Sequence, residues 1–198
     1  MVCCVFWMMR HGEKQNPSDG SGLTELGRQQ VRAAVRHHIC RIHMDALLYS
    51  GIGRAREAAE VAIESLEQRH LVPQVELGFG FAEPDPEYPY LEIEKQVETC
   101  GRPETAALWM ELAPPFQRMR ETVQAMFCLR AVYHTAQKSP NDSERHILVL
   151  THNPTAIIGA LKPENTPGLR YADICRYVVV VDPTQRPRIA SSEVLRAP

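Results

Sequence analysis

A chain of 198 residues, 44% of them hydrophobic, is long and apolar enough to fold as one domain with a substantial core. Its formal net charge of −2 and its pI of about 6.4 argue against a nucleic-acid or membrane surface. The sequence contains no evident internal repeat or interdomain linker, so we expect a single domain over residues 1–198.

The six cysteines show neither a CxxC pair nor metal-ligand spacing. Most of them fall inside apolar runs, which predicts buried free thiols and a reducing compartment. The apolar start of the chain, residues 1–9, is too short for a transmembrane helix and lacks a basic leader. Together these features predict a cytoplasmic protein.

The first predicted element is a buried strand over residues 3–9, an unbroken apolar run that Arg10-His11-Gly12-Glu13 follows directly. Open α/β sheets bind ligands at the carboxyl ends of their strands, which is where this strand places His11. A guanidinium holds phosphate oxygens in a planar fork, and a neutral imidazole can attack phosphorus. His11 is therefore a candidate nucleophile and Arg10 a candidate phosphate ligand.

Two later segments repeat this arrangement. A strand predicted at residues 45–49 is followed by a loop that ends at Arg54. A strand predicted at residues 146–150 is followed by His152, directly ahead of a short apolar helix. Three strands thus place basic residues at one edge of a sheet, where a helix amino terminus adds free N–H groups and partial positive charge.

The whole pattern alternates strands and helices, which predicts an α/β fold. We expect a three-layer sandwich: a mostly parallel sheet with helices on both faces. The remaining predicted elements are helices over residues 24–42, 55–69 and 116–136, strands over 75–77 and 174–181, and an edge strand over 188–194.

The ordered motifs resemble those of the histidine phosphatase superfamily, the phosphoglycerate mutase-like proteins. Arg10-His11-Gly12-Glu13 matches the opening RHGE signature, and residues 22–30 resemble the helix start LTxxGxxQA. Residues 50–59 resemble SPxxRAxxTA, and Thr151-His152 resembles the late (S/G/T)H motif. The resemblance implies a phosphoglycerate mutase-like fold for nearly the whole chain.

The resemblance also implies residue roles. His11 would be transiently phosphorylated, Arg10 and Arg54 would bind the phosphoryl group, and His152 would flank it in its protonated form.

The family's general acid is a glutamate on the loop after the third strand. We assign this role to Glu83, which follows the predicted strand at 75–77, with Asp85 as the rival. Asn16 lies one residue before the asparagine that is usual in phosphoglycerate mutases, and it is a candidate substrate contact. Residues 80–101 and 101–115 are expected to cover the pocket and to set specificity.

These features predict a cofactor-independent phosphatase that hydrolyses a phosphomonoester or phosphohistidine through a covalent phosphohistidine intermediate. No cofactor and no metal are expected, because the cationic cluster supplies the electrostatic stabilisation. The partner would be a phosphorylated small molecule or phosphoprotein, and the oligomeric state is left open. The alternatives are a phosphoglycerate mutase and, from another class, a catalytically weak phosphate-binding interaction module.

Overall fold

The computed structural model describes residues 1–15, 22–68, 70–76, 90–113, 115–137, 144–153 and 155–198. Three of the predicted site residues, Asn16, Glu83 and Asp85, lie outside the described residues. Arg10, His11, Arg54 and His152 lie within them.

The centre of the fold is a six-stranded sheet within the described ranges. Its order is β3-β2-β4-β1-β5-β6. The pairs β3–β2, β2–β4 and β4–β1 are parallel, and the pairs β1–β5 and β5–β6 are antiparallel, so the sheet is mostly parallel as predicted. The strands are β1 (Val2–Arg10), β2 (Ala46–Tyr49), β3 (Gln74–Val75), β4 (Glu144–Thr151), β5 (Ile174–Val181) and β6 (Arg188–Leu195).

Helices cover both faces of the sheet, because alternate side chains of its strands enter two separate cores. On β1, Cys4, Phe6 and Met8 pack into the core with α3 to α6, and the residues between them pack into the core with α1 and α2. This confirms the three-layer α/β sandwich. The helices are α1 (Glu25–Ala34), α2 (Gly53–Leu66), α3 (Tyr90–Thr99), α4 (Ala106–Leu112), α5 (Pro115–Ala136) and α6 (Thr155–Ile158). No helix in the described ranges is long and apolar enough to cross a membrane.

The start of α1 packs tightly against the loop that follows β1. Thr24 caps the helix, accepting a 2.9 Å hydrogen bond from Gly27 N and donating one of 2.7 Å to the Glu13 carboxylate. A Cβ at Gly12 would lie 2.1 Å from Gly27 O, and one at Gly27 would lie 2.2 Å from Glu13 O. Both glycines are therefore required by the close approach of two backbones rather than by a turn.

Several element boundaries differ from the prediction, among them those of the first helix and of the third strand. The helix predicted over 24–42 is α-helical only to Ala34 and continues as a π-helical turn, Val35–Ile39, in which both end residues are buried. The wider turn keeps these two apolar side chains on the core side. The third strand is Gln74–Val75 instead of 75–77, and Leu77 lies outside the described residues.

The expectation that most cysteines are buried is wrong. Cys4 and Cys175 are buried in strands of the sheet, Cys3 and Cys128 are half-buried, and Cys40 and Cys100 are exposed. The two exposed thiols directly follow helical segments, where the chain turns outward to solvent. None of the six is in a disulfide.

Gly27→Ala tests the close packing of α1 on the loop that follows β1. Alanine favours a helix by about 1 kcal/mol over glycine, but the clash with Glu13 O forces the backbones apart, and such overpacking costs about 1–3 kcal/mol. We expect a net loss of stability in urea denaturation and a loss of phosphate binding. Gln29→Ala, at an exposed position of the same helix, should leave both within error. A stabilised Gly27→Ala variant with intact phosphate binding would contradict this reading.

Candidate active site

The carboxyl ends of β1, β2 and β4 meet at one edge of the sheet, because these three strands are parallel and adjacent. The sheet pairing continues past the strand ends. His11 N donates a 3.0 Å hydrogen bond to Thr151 O, and Ser50 N donates one of 3.1 Å to Leu150 O. The structure therefore brings the segments of the three predicted motifs together, as expected from their positions after parallel strands.

The His11 imidazole is held by two hydrogen bonds of opposite sense. Its Nδ1 lies 2.6 Å from Gly12 O, a pure acceptor, so Nδ1 carries the proton. Its Nε2 accepts a 3.0 Å hydrogen bond from Arg54 Nε, so Nε2 carries the lone pair. The two partners select a single neutral tautomer, with the unprotonated nitrogen facing the Arg54 guanidinium.

Burial keeps this imidazole neutral. His11 is only 2% exposed, and desolvation lowers its pKa well below the usual value of 6.5. The hydrogen bond to Gly12 O opposes that effect, while His152, Arg54 and Arg10 lower the pKa further. At neutral pH, His11 is therefore an unprotonated base.

The His152 ring lies edge-on to His11, with 6.2 Å between the ring centroids. It is 4% exposed, and burial lowers its pKa to about 3, with further lowering by Arg54, Arg10 and Lys14. Without a bound anion His152 is therefore neutral, because desolvation and three cations all disfavour a further positive charge; the protonated form expected beside a bound phosphoryl group stays a prediction. A phosphate dianion within hydrogen-bond reach would act in the opposite direction.

The Arg10 guanidinium is held by the segment that precedes β5. Its Nη1 donates to Leu169 O, and its central carbon lies 4.6 Å from the centroid of the Tyr171 ring. The Tyr171 ring centroid is also 5.9 Å from that of His11. Tyr171 thus lies against both Arg10 and His11, and no local sequence pattern around Tyr171 predicted this.

Buried donors at this edge lack partners among the described residues. They are Arg10 Nε at the end of β1, Ser50 Oγ after β2 and Thr155 Oγ1 at the start of α6. A buried polar group without a hydrogen bond costs about 1–3 kcal/mol. The oxygens of a bound anion would accept hydrogen bonds from these donors, and the nearby cations favour the binding of an anion.

Comparison with known proteins agrees with this geometry. The sequence profile of the histidine phosphatase superfamily (branch 1) matches residues 6–161 of the chain. The chain belongs to this superfamily. No curated protein matches it significantly in sequence.

Solved structures with the same fold include two phosphatases and a mutase. A mycobacterial glucosyl-3-phosphoglycerate phosphatase in complex with VO3 has a TM-score of 0.59 and 17% identity, and the match covers 100% of both chains. An α-ribazole phosphatase from Shigella flexneri has a TM-score of 0.53 and 16% identity over 94% of this chain and 95% of that chain. A phosphoglycerate mutase from Bacillus anthracis str. Sterne has a TM-score of 0.58 and 17% identity over 96% of this chain and 92% of that chain. At such identities the similarity establishes the fold and leaves the substrate open.

A buried carboxylate, that of Asp173, holds the segment whose residues contact Arg10. Asp173, fully buried, accepts hydrogen bonds from Arg170 N at 2.9 Å and Ala197 N at 2.7 Å, and it pairs with Arg196 at 2.5 Å. Its backbone carbonyl accepts from Arg10 N at 3.0 Å. The adjoining Ala172 has a positive φ of 62°, a strained conformation that these contacts hold in place. The carboxyl-terminal residues therefore anchor the loop that carries Leu169 and Tyr171.

The carboxylate that the described structure places after β3 is Glu76. Its backbone N donates a 2.8 Å hydrogen bond to Tyr49 O, and its side chain forms an ion pair with Arg130 of α5. This ion pair joins the end of β3 to α5, so we assign Glu76 a structural role. The predicted acid Glu83 and its rival Asp85 remain predictions, as does the role of Asn16.

The described residues contain no cluster of three or more His, Cys, Asp or Glu side chains that could hold a metal ion. The chemistry this site offers is a neutral imidazole with an oriented lone pair, flanked by guanidinium groups. That combination suits nucleophilic attack on a phosphorus atom whose oxygens are bound by cations.

Because His152 is buried and neutral, we expect the free energy of unfolding to depend on pH. The pKa of this histidine is lowered from 6.5 to about 3 on folding, so the unfolded chain binds the extra proton and stability falls as the pH falls through that window. The expected slope from this residue is about 1.4 kcal/mol per pH unit. Urea denaturation of the wild type and of His152→Gln between pH 7 and pH 4 measures it. Parallel curves for the two proteins would show that His152 does not titrate in this way.

Proposed function

We propose that this protein is a cofactor-independent phosphatase that hydrolyses a phosphomonoester or phosphohistidine through a phosphohistidine formed at His11. The observation that carries the proposal is the single His11 tautomer, with Nδ1–H on Gly12 O and the Nε2 lone pair beside Arg54. The Arg54 hydrogen bond holds Nε2 as an unprotonated acceptor beside a cation that can bind an anionic group, which is the arrangement that attack on a phosphoryl group requires.

In the proposed reaction, His11 Nε2 attacks phosphorus in line. The P–N bond forms while the bond from phosphorus to the leaving oxygen or nitrogen breaks, and the leaving atom takes a proton from a carboxylic acid. The imidazole gains positive charge in this step, and the carbonyl of Gly12, 2.6 Å from Nδ1, stabilises it. Water then attacks phosphorus and gives a proton to the same carboxylate, the P–N bond breaks, and phosphate leaves with the imidazole and the carboxylic acid restored.

The cations would bind the phosphoryl oxygens. When the Nε2 lone pair attacks phosphorus, the hydrogen bond that Arg54 Nε–H donates to His11 Nε2 would shift to a phosphoryl oxygen. The Arg54 donor thus keeps an acceptor throughout the step. Arg10 would contribute through its Nε–H. Lys14 is half-buried, and its pKa is lowered first by burial and then by Arg54 and Arg10, although Glu94 opposes the shift. A dianionic substrate would relieve this repulsion among like charges.

Glu83 is our proposed general acid, and Asp85 is the second candidate. The chemistry requires such a group, because an alkoxide is a poor leaving group without a proton. A phosphoglycerate mutase would use the same phosphohistidine but return the phosphoryl group to a rebound substrate. A catalytically weak phosphate-binding module would bind phosphate without turnover.

The test of the nucleophile uses His11→Ala. With the lone pair removed, we expect hydrolysis of p-nitrophenyl phosphate and of phosphohistidine to fall to background, while EDTA leaves the wild type fully active. Acid-labile, base-stable label from a ³²P substrate should appear on the wild type and be absent from the variant. His37→Ala, at an exposed position, is the matched control and should retain activity.

Each alternative has its own signature in this experiment. Label that is retained and passed to 3-phosphoglycerate rather than to water would indicate a mutase. Phosphate binding without label or hydrolysis would indicate an interaction module. Activity lost in EDTA and restored by a divalent ion would contradict the proposed mechanism.

Glu83→Gln tests the acid. General acid catalysis typically contributes about 10²–10⁴-fold, so hydrolysis of an alkyl phosphate should fall by that order. Hydrolysis of p-nitrophenyl phosphate should fall much less, because nitrophenolate leaves without a proton. Equal, small effects on both substrates would remove Glu83 from this role, and the same comparison on Asp85→Asn would then decide for or against the rival.

A further inference from the structure

A half-buried glutamate that the proposed mechanism does not use lies behind the site. Glu104 Oε1 accepts a 2.8 Å hydrogen bond from Trp109 Nε1 and a second hydrogen bond from Asn153 Nδ2. Trp109 is 1% exposed, so one donor is fixed in the core. Gly168 lies against the carboxylate, since a Cβ there would sit 2.2 Å from Glu104 Cδ. The main chain of the two segments is joined as well, by a 2.9 Å hydrogen bond from Gly168 N to Glu104 O.

From Glu104 a continuous chain of hydrogen bonds leads to the RHGE motif. Asn153 donates through Nδ2 to Glu104, and its Oδ1 accepts a 3.3 Å hydrogen bond from Leu169 N. The Leu169 carbonyl in turn accepts from Arg10 Nη1. The chain thus links residue 104, before α4, to residue 10, at the end of β1, through two intermediate residues.

The orientation of the Asn153 amide in this chain depends on the first acceptor. A carboxylate can only accept, so it requires the Asn153 amide to turn its NH₂ group toward Glu104. The Asn153 oxygen must then face Leu169 N, which holds the backbone of the residue whose carbonyl binds Arg10. Asn153 directly follows His152, so its amide is also tied to the loop that carries the second histidine.

We propose that Glu104 is a positioning residue that sets the location of the Arg10 guanidinium through Asn153 and the backbone of Leu169. This inference rests on the proposed function only in that Arg10 serves an anion. It assigns no contact between Glu104 and the substrate. Misplacing a binding group by about 1 Å can cost on the order of 10²-fold in a preorganised site.

The chain offers a discriminating pair of substitutions at this position. Both donors bond to one oxygen, Glu104 Oε1, and the carbonyl oxygen of a glutamine can accept both. Glu104→Gln should therefore keep the network, whereas Glu104→Ala removes it. Glu111→Ala is the matched control, because Glu111 lies on α4 and its carboxylate pairs with Arg102 on the surface.

The probe is inorganic phosphate, titrated calorimetrically into the full-length chain. We expect Glu104→Ala to weaken phosphate binding about 10-fold, and Glu104→Gln and Glu111→Ala to stay within about 3-fold of the wild type. In an Arg10→Ala background, Glu104→Ala should add less than about 2-fold, because the residue it positions is gone. That non-additivity separates positioning of Arg10 from general stabilisation.

The opposite results overturn the inference. Unchanged binding in Glu104→Ala, or a full additional loss in the Arg10→Ala background, would show that Glu104 does not act through Arg10. Should Glu104→Ala fail to fold, Asn153→Ala breaks the chain one link nearer Arg10 and is judged by the same two criteria. Phosphate binding that follows the expected pattern in a protein that hydrolyses nothing would refute the proposed function and leave this inference standing.

Discussion

The site depends on the two hydrogen bonds to the His11 ring. One is donated by Nδ1 to Gly12 O at 2.6 Å, and the other is received by Nε2 from Arg54 at 3.0 Å. Each bond requires the same tautomer, because Gly12 O can only accept and Arg54 Nε can only donate, and the two together hold the ring from both of its nitrogens. Burial adds the third condition, because it keeps the ring neutral beside a guanidinium.

The buried site holds several positive charges close together, and the fold stabilises them with neutral hydrogen-bond acceptors. Among the residues that the structure describes, Arg10 is held by a backbone carbonyl and the face of an aromatic ring rather than by a carboxylate. A carboxylate there would neutralise the guanidinium and weaken its attraction for phosphate. The acidic groups stand one layer further back, at Asp173 and Glu104, where they orient the backbone segments that hold Arg10.

The antiparallel strands β5 and β6 carry the segments that hold Arg10 and His11 in place. The loop before β5 supplies Leu169, Tyr171 and Ala172, and Ala172 N donates to His11 O at 3.3 Å. The same loop is anchored by Asp173 to Arg196 and Ala197 near the end of the chain. The parallel half of the sheet thus presents the reactive side chains, and the antiparallel half holds them in place.

The sequence by itself determined the layers, the order of the four motifs and the edge at which Arg10, His11, Arg54 and His152 would meet. Those properties follow from local features: the apolar period of each strand and the residues directly after it. Tertiary structure alone decided the protonation state of His152 and the exposure of Cys40 and Cys100.

Tertiary structure also decided the support of Arg10 by Leu169, which lies 159 residues away along the chain, and the chain of hydrogen bonds from Glu104. Desolvation and long-range hydrogen bonding depend on which distant segments pack together, and no pattern within a single segment contains that information.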